Sequence, residues 1–143
     1  MKLNKIKEVL MGTDHEVKVE ILSHLSDVFE SYNESIEDFE EIVMFLLEYG
    51  LNETEIEMKE EIFNTLLDAA TNQDIGKINF DVLEKSLDDL PIECLHSAIT
   101  ILSFTYNREY LPTLLKYTEH GNKQIRSDAL YAVNEIETYW KLK

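Results

Sequence analysis

The sequence contains one cysteine, few glycines and prolines, and no long apolar run. Because Cys94 stands alone, neither an intrachain disulfide framework nor a cysteine-rich zinc site can form within the chain. Four glycines and two prolines are too few for a turn-rich β-sandwich or barrel. The longest apolar run covers residues 42–47, far short of the ~20 residues that a membrane-spanning helix needs. The basic residues 1–7 lack the apolar core of a secretory signal, so we expect a cytoplasmic protein.

Basic residues are also scarce, and the acidic excess is unevenly distributed. The chain has 13 basic and 29 acidic side chains, a formal net charge of −16. Residues 14–93 hold 23 acidic and 4 basic side chains, a net charge of −19, whereas residues 94–143 sum to +1. Such a field repels nucleic acid and anionic membranes and attracts basic proteins. We therefore expect a basic protein as the partner, although a solvated helical surface would look the same in sequence.

Apolar residues recur at helical spacing along most of the 143 residues, and no stretch alternates with period two. The length fits one domain, residues 1–143. Gly50 and Gly121 mark two helix ends, while Asp14 and Asn122 are suited to cap helix starts. The pattern predicts an all-α fold with eight helices, over residues 3–11, 14–29, 35–49, 53–71, 79–89, 91–106, 108–119 and 122–140.

The even-numbered helices share one apolar stripe with the spacing i, i+4, i+5, i+8, i+11. Each of them follows another amphipathic helix, so the repetition predicts four stacked antiparallel hairpins. An irregular helical bundle is the structural alternative. The four stripes are Val17, Ile21, Leu22, Leu25 and Val28; Met58, Ile62, Phe63, Leu66 and Ala69; Cys94, Ala98, Ile99, Leu102 and Thr105; and Ile125, Ala129, Leu130, Val133 and Ile136.

A cation follows the first stripe residue in three of the four units, at Lys18, Lys59 and Arg126. The last unit has Leu-Pro-Thr-Leu-Leu at residues 111–115 and Ile-Arg-Ser-Asp-Ala-Leu at residues 125–130. It resembles a HEAT repeat, in which a Leu-Pro-x-Leu-Leu helix leads through a polar turn to a Val-Arg-x-x-Ala-Leu helix. The resemblance is closest over residues 109–138 and implies an α-solenoid whose second helices line a concave surface. The third unit departs from it, with Pro-Ile-Glu-Cys-Leu at residues 91–95.

Catalytic motifs are scarce. Glu93-x-x-His96 has the spacing of half a di-metal carboxylate site, but a second such motif is missing. Cys94 falls on a predicted core stripe, where a free cysteine behaves as a small apolar residue. No glycine-rich phosphate loop or nucleophile elbow occurs. We therefore expect no enzyme activity, no catalytic residues, no metal and no cofactor.

The candidate partner-binding residues are the polar positions beside the stripes of three second helices. On an α-solenoid these positions would face the partner, whereas on a simple bundle they would be solvent faces of amphipathic helices. They are Glu20, Asp27, Glu57, Glu60, Glu61, Asn64, Asp68, Asp128, Tyr131 and Glu135.

Two function classes fit these features. Small, strongly acidic, cysteine-poor helical chains are similar to bacterial immunity proteins, some of which are HEAT-like, and many of the toxins that those proteins neutralise are nucleases with basic clefts. The resemblance implies a protein that binds and neutralises a basic toxin domain. The alternative is a HEAT-like scaffold or adaptor for cellular proteins.

Overall fold

The computed structural model describes residues 2–31 and 36–143, and it confirms the all-α prediction. These residues form eight α-helices and no strand. Each predicted helix has a counterpart, although the predicted start of the third, at Ser35, lies outside the described residues. Within the described ranges, no helix is both long and apolar enough to cross a membrane. The helices are α1 (Leu3–Leu10), α2 (His15–Ser31), α3 (Phe39–Asn52), α4 (Ile56–Asn72), α5 (Asp81–Ser86), α6 (Ile92–Phe104), α7 (Leu111–Tyr117) and α8 (Lys123–Lys141).

Helices α5 and α7 are shorter than predicted because a 3-10 turn takes the place of part of each. Residues Leu87–Asp89 form such a turn after α5, and Arg108–Tyr110 form one before α7. The first turn ends at Leu90, whose extended backbone is the conformation that the following Pro91 favours.

The chain divides into two compact units, Met1–Asp74 and Ile75–Lys143. In the first unit, α4 packs against both α2 and α3, and α1 contacts α2 and α3. The stripe prediction holds for α4, where all five residues are buried. It is wrong at Val17, which is 39% exposed in the first turn of α2.

A close approach between α3 and α4 occurs at Gly50. A Cβ atom at this position would lie 2.8 Å from Cγ2 of Ile62, which is itself fully buried. Real Cβ atoms do not come this close to a packed neighbour, so only glycine fits without displacing the core. The residue that ends α3 in the sequence prediction is thus required for packing within the helix.

Lys59, on α4, occupies the end of α3 beside this contact. Its Nζ donates hydrogen bonds to the carbonyl oxygens of Gly50, Leu51 and Glu53 at 2.9, 3.0 and 3.1 Å. The side chain is buried, with 9% of the residue exposed. The last carbonyls of a helix have no partner within it and carry its negative dipole end, so the ammonium group satisfies both needs.

The other two repeated cations, Lys18 and Arg126, also make hydrogen bonds close to the ends of helices. Nζ of Lys18 donates to the hydroxyl of Tyr49 at 3.1 Å, and that hydroxyl donates to the carbonyl of Leu10, the last residue of α1. In the second unit, Nη1 of Arg126 donates to the carbonyls of His120 and Gly121 just after α7. Of the three recurring cations, Lys59 therefore bonds directly to the end of the preceding helix, Lys18 reaches the end of α1 through Tyr49, and Arg126 bonds to the turn between α7 and α8.

In the second unit, α8 packs against α6 and α7. Of the α6 stripe, the first four residues are buried, with Cys94 completely so. The stripe of α8 is buried except at Leu130, which is 54% exposed, so this predicted core position is wrong. The capping role predicted for Asn122 is confirmed, because its side chain accepts a hydrogen bond from the N–H of Ile125. Asp14 does the same for Val17 at the start of α2.

Three hydroxyl–carboxylate hydrogen bonds connect α5 and its 3-10 turn to α7 and the 3-10 turn before it, and we call them the hydroxyl ladder. Each joins residues that are 29 positions apart. Both members of each pair advance by one helical turn at a time, which keeps the pairs in register. The pairs are Tyr110 with Asp81, Thr113 with Glu84, and Tyr117 with Asp88.

Contacts of the C-terminal aromatic residues connect the end of α8 to the residues that follow α6. Nε1 of Trp140 donates to the carbonyl of Tyr106 at 2.6 Å, and the Arg108 guanidinium lies 4.3 Å above the indole ring. The rings of Tyr106 and Tyr139 stack with centroids 4.4 Å apart. Tyr106 has a φ of 52°, a left-handed conformation that is strained for a tyrosine, and these contacts hold it there.

Replacing Gly50 by alanine tests the α3–α4 contact. We expect Gly50→Ala to lower the free energy of unfolding by about 2 kcal/mol, despite the higher helix propensity of alanine, because the added methyl group overpacks the core. Urea denaturation measures the change. Gly121→Ala is the matched control, since nothing lies within 4 Å of its Cβ position, and we expect a change within about 0.5 kcal/mol. Equal losses in the two variants would contradict the packing account.

The hydroxyl ladder predicts a loss of stability at alkaline pH. Burial, reinforced by the carboxylates of Asp81 and Asp88, raises the pKa values of Tyr110 and Tyr117. The folded protein therefore favours the neutral phenols; their contribution is complete below the unfolded pKa of about 10 and is lost as the pH rises above it.

Thermal denaturation between about pH 8 and about pH 11 measures this loss. We expect the double variant Tyr110→Phe/Tyr117→Phe to be less stable than the parent near neutrality and to lose less between these pH values. Tyr131→Phe is the control, because this ring is 59% exposed and its change should leave the pH dependence as in the parent. A double variant that loses as much as the parent would refute the role of these two hydroxyls.

Candidate functional site

Seven of the ten predicted partner-binding residues lie on α2 and α4 in the first unit. The structure places most of them at the surface, as amphipathic helices require. Glu60 and Asp68 are half-buried. The exposed members are Glu20, Asp27, Glu57, Glu61 and Asn64.

Polar contacts along the α2–α4 interface hold these two helices together. Oγ1 of Thr65 donates to the carbonyl of Leu22 at 3.3 Å, and Oγ of Ser26 donates to Oγ1 of Thr65 at 3.2 Å. Near the other end, Nε2 of Gln73 donates to the carbonyl of Phe29 at 2.6 Å. The acidic residues of the two helices are therefore presented by elements that are joined to each other by both apolar packing and hydrogen bonds.

The charge of the first unit is strongly unbalanced. Residues 1–74 contain 19 acidic and 5 basic side chains, a net charge of −14, while residues 75–143 contain 10 and 8, a net charge of −2. Most of the overall charge therefore belongs to the unit that carries α2 and α4. We call the six predicted carboxylates on these two helices the acidic surface: the exposed Glu20, Asp27, Glu57 and Glu61 with the half-buried Glu60 and Asp68.

The cations of the first unit do not neutralise this surface. Lys59 is bonded to backbone carbonyls and Lys18 to a tyrosine hydroxyl, while Nζ of Lys7 lies 5.6 Å from the centre of the Phe45 ring. Within residues 2–31 and 36–74, the ion pair that forms is between His15 and Glu55, at 3.5 Å. No carboxylate of the acidic surface pairs with a lysine or arginine of the described residues, so its charge remains available to a partner.

The remaining three predicted residues lie on α8 in the second unit. Asp128 is bonded within the protein, since Oδ2 lies 2.5 Å from Nδ1 of His96 and Oδ1 accepts a hydrogen bond from Nε2 of Gln124. Tyr131 is exposed. Glu135 is half-buried, and after burial its charge is the next largest factor that raises the pKa of Tyr106.

The pair of His96 and Asp128 was not predicted. Sequence spacing relates His96 to Glu93 on the same helix, whereas the structure connects it to α8 across 32 positions. Only the packing of α6 on α8 makes this contact, so no local pattern could have indicated it. No group of three or more His, Cys, Asp or Glu side chains in the described parts of the chain is arranged to hold a metal ion.

The acidic surface can bind ammonium and guanidinium groups. Unpaired carboxylates on rigid helices gain charge-assisted hydrogen bonds from lysine and arginine with little loss of their own freedom. No protein family, curated protein or solved structure matches the chain.

Repulsion within the acidic surface predicts a stability that increases with salt. Added NaCl screens the carboxylates from one another, so we expect it to raise the midpoint of thermal unfolding. The variant Glu20→Gln/Asp27→Asn/Glu61→Gln should be more stable than the parent at low salt and should gain less from added salt. A parent midpoint that does not respond to NaCl would contradict an unneutralised surface.

Proposed function

We propose that this protein is a protein-binding module, an immunity protein that binds and neutralises a basic bacterial toxin domain. The observation that carries the proposal is the acidic surface of α2 and α4, whose carboxylates have no lysine or arginine partner within the described chain. A strongly acidic, rigid surface is suited to a basic target, above all to the substrate cleft of a nuclease, which must itself attract phosphates.

Electrostatics favours fast association with such a target. Complementary surface potentials raise the rate of encounter, and this gain falls as salt rises. The contacts of Thr65 and Gln73 keep α2 and α4 in place, so binding needs little reordering of the surface. In this function the protein acts by binding and blocking its protein partner, without a catalytic step. We propose neither nucleic acid nor a membrane as a partner.

We further propose that the eight helices are stacked hairpins of the HEAT-like kind. Support comes from the packing of α3 with α4 and of α7 with α8, in the pairs that the repeat predicts. The second helices α2 and α4 pack on each other, as do α6 and α8. Lys59 bonds to carbonyls at the end of α3 and Arg126 to carbonyls of the turn between α7 and α8, which gives the recurring basic position a structural purpose.

Affinity purification separates the immunity function from the alternative of a scaffold. A tagged full chain is used to capture partners from the organism that encodes it, at low and at moderate salt, and the captured proteins are identified by mass spectrometry. The proposal expects one basic partner, retained at moderate salt, whose toxic activity is abolished when the purified proteins are mixed. Several ordinary cellular proteins released together by salt would instead support a HEAT-like scaffold or adaptor.

Charge reversal on α4 tests which surface binds. We expect Glu57→Lys/Glu60→Lys/Glu61→Lys to weaken binding of the captured partner by about 100-fold or more, chiefly because opposite charges are replaced by like charges. Calorimetric titration of the purified proteins measures the affinity.

The matched control reverses three exposed acidic residues of the second unit, Glu109→Lys/Glu119→Lys/Glu137→Lys, and alters the net charge by the same amount. The control should retain most of the affinity. Thermal unfolding of both variants checks that they remain folded. An unchanged affinity in the α4 variant would exclude the acidic surface as the binding site.

A further inference from the structure

A polar groove of about 360 Å³ lies between α5 with its 3-10 turn and α7, in the second unit. This volume is in the range of sites that bind small molecules. The hydroxyl ladder forms part of its wall. The lining residues are Glu84, Lys85, Asp88, Thr113, Lys116, Tyr117 and His120.

The acidic groups of the groove already have partners. The Glu84 carboxylate accepts a hydrogen bond from the hydroxyl of Thr113 at 2.7 Å, and the Asp88 carboxylate accepts one from the hydroxyl of Tyr117. These bonds use one acceptor position on each carboxylate, which keeps its negative charge, and they use the hydroxyl protons that α7 could otherwise offer to a ligand.

The basic groups of the groove lack such partners. Within residues 2–31 and 36–143, Nζ of Lys85 and Nζ of Lys116 make no hydrogen bond and no ion pair, although both line the same groove as Glu84 and Asp88. Lys18 and Lys59, in contrast, are bonded to protein oxygens. The two ammonium groups therefore leave up to six N–H donors to solvent or to a ligand.

His120 adds a donor whose tautomer is fixed. The backbone N–H of Asn122 donates to Nδ1 of His120 at 3.0 Å, so Nδ1 must be an acceptor and the proton of the neutral ring is on Nε2. The ring is stacked nearly parallel to that of Tyr117, at an angle of 19°, which fixes its orientation. The groove thus combines two ammonium groups and an oriented imidazole N–H.

From this arrangement we propose that the groove is a binding site for a small organic anion with several oxygen atoms, a carboxylate or a phosphate ester. Lys85 and Lys116 supply the charge, and Nε2–H of His120 supplies a directed hydrogen bond. The proposal is independent of the acidic surface, which lies in the other unit. Lys85 and Lys116 balance the charges of Glu84 and Asp88 in the groove wall, so this groove repels an anion less than the acidic surface does.

Nuclear magnetic resonance titration of the full chain tests the site. Citrate and inorganic phosphate are the probes, added separately at constant pH and with NaCl adjusted to keep the ionic strength constant. We expect at least one probe to give saturable shifts in the resonances of Lys85, Lys116, Tyr117 and His120. A response to citrate alone or to phosphate alone assigns the anion class.

The variant Lys85→Gln/Lys116→Gln should reduce the affinity for the probe by at least tenfold, roughly the loss expected when two charged donors are removed. Both side chains are exposed and unbonded, so the variant should keep the thermal midpoint of the parent. Lys123→Gln/Lys141→Gln is the matched control, because it removes two exposed charges from α8 and should bind as the parent does.

Three outcomes would overturn the proposal. The first is the absence of saturable shifts with either probe. The second is a set of shifts spread equally over all exposed lysines, which indicates general screening. The third is an equal loss of affinity in the groove variant and in the control.

Discussion

The ammonium group of Lys59 at the end of α3 is the interaction on which the first unit depends. Its hydrogen bonds go to the carbonyls of Gly50, Leu51 and Glu53 where α3 ends, next to the close contact with α4 that Gly50 permits. The Lys59 ammonium group therefore bonds to backbone carbonyls inside the fold and not to carboxylates at the surface. Among the described residues, no lysine or arginine forms an ion pair with the carboxylates on the outer side of α4. The bonds of Lys59 that stabilise the α3–α4 pair therefore also leave the acidic surface without this cation. The position of one lysine thus affects both the stability of the unit and the proposed binding.

In the second unit, side-chain hydroxyl groups connect helices, whereas in the first unit a lysine makes such a connection. Arg126 bonds to the turn after α7, but α5 with its 3-10 turn is connected to the segment Arg108–Tyr117 by tyrosine and threonine hydroxyls that donate to carboxylates. Asp81, Glu84 and Asp88 thus accept hydrogen bonds from hydroxyl groups, whereas Lys85 and Lys116 have no such partner among the described residues. The second unit still has a net charge of −2, so the anion site proposed there depends on the local position of Lys85 and Lys116 in the groove and not on a positive surface.

Local patterns in the sequence were enough to predict the eight helices, the caps at Asp14 and Asn122, and the recurrence of a cation after the first stripe residue. These features depend on residues within one or two turns of each other. What the cations bind could not be predicted, because Lys18 reaches Tyr49 across 31 positions and His96 reaches Asp128 across 32. The exposure of Leu130 was missed for a related reason, since a helical stripe records which side is apolar and not whether another element covers it.

The contacts around Trp140 determine which part of the protein tryptophan fluorescence reports on. It is the single tryptophan of the chain, and its indole is bonded to Tyr106 and covered by the Arg108 guanidinium, all within Ile75–Lys143. Tryptophan fluorescence therefore reports directly on the turn between α6 and α7 and on the end of α8. The helices that carry the acidic surface have no such probe. Melting of Met1–Asp74 would have to be followed by circular dichroism or calorimetry, and an emission curve that matches the calorimetric transition would show that both units unfold together.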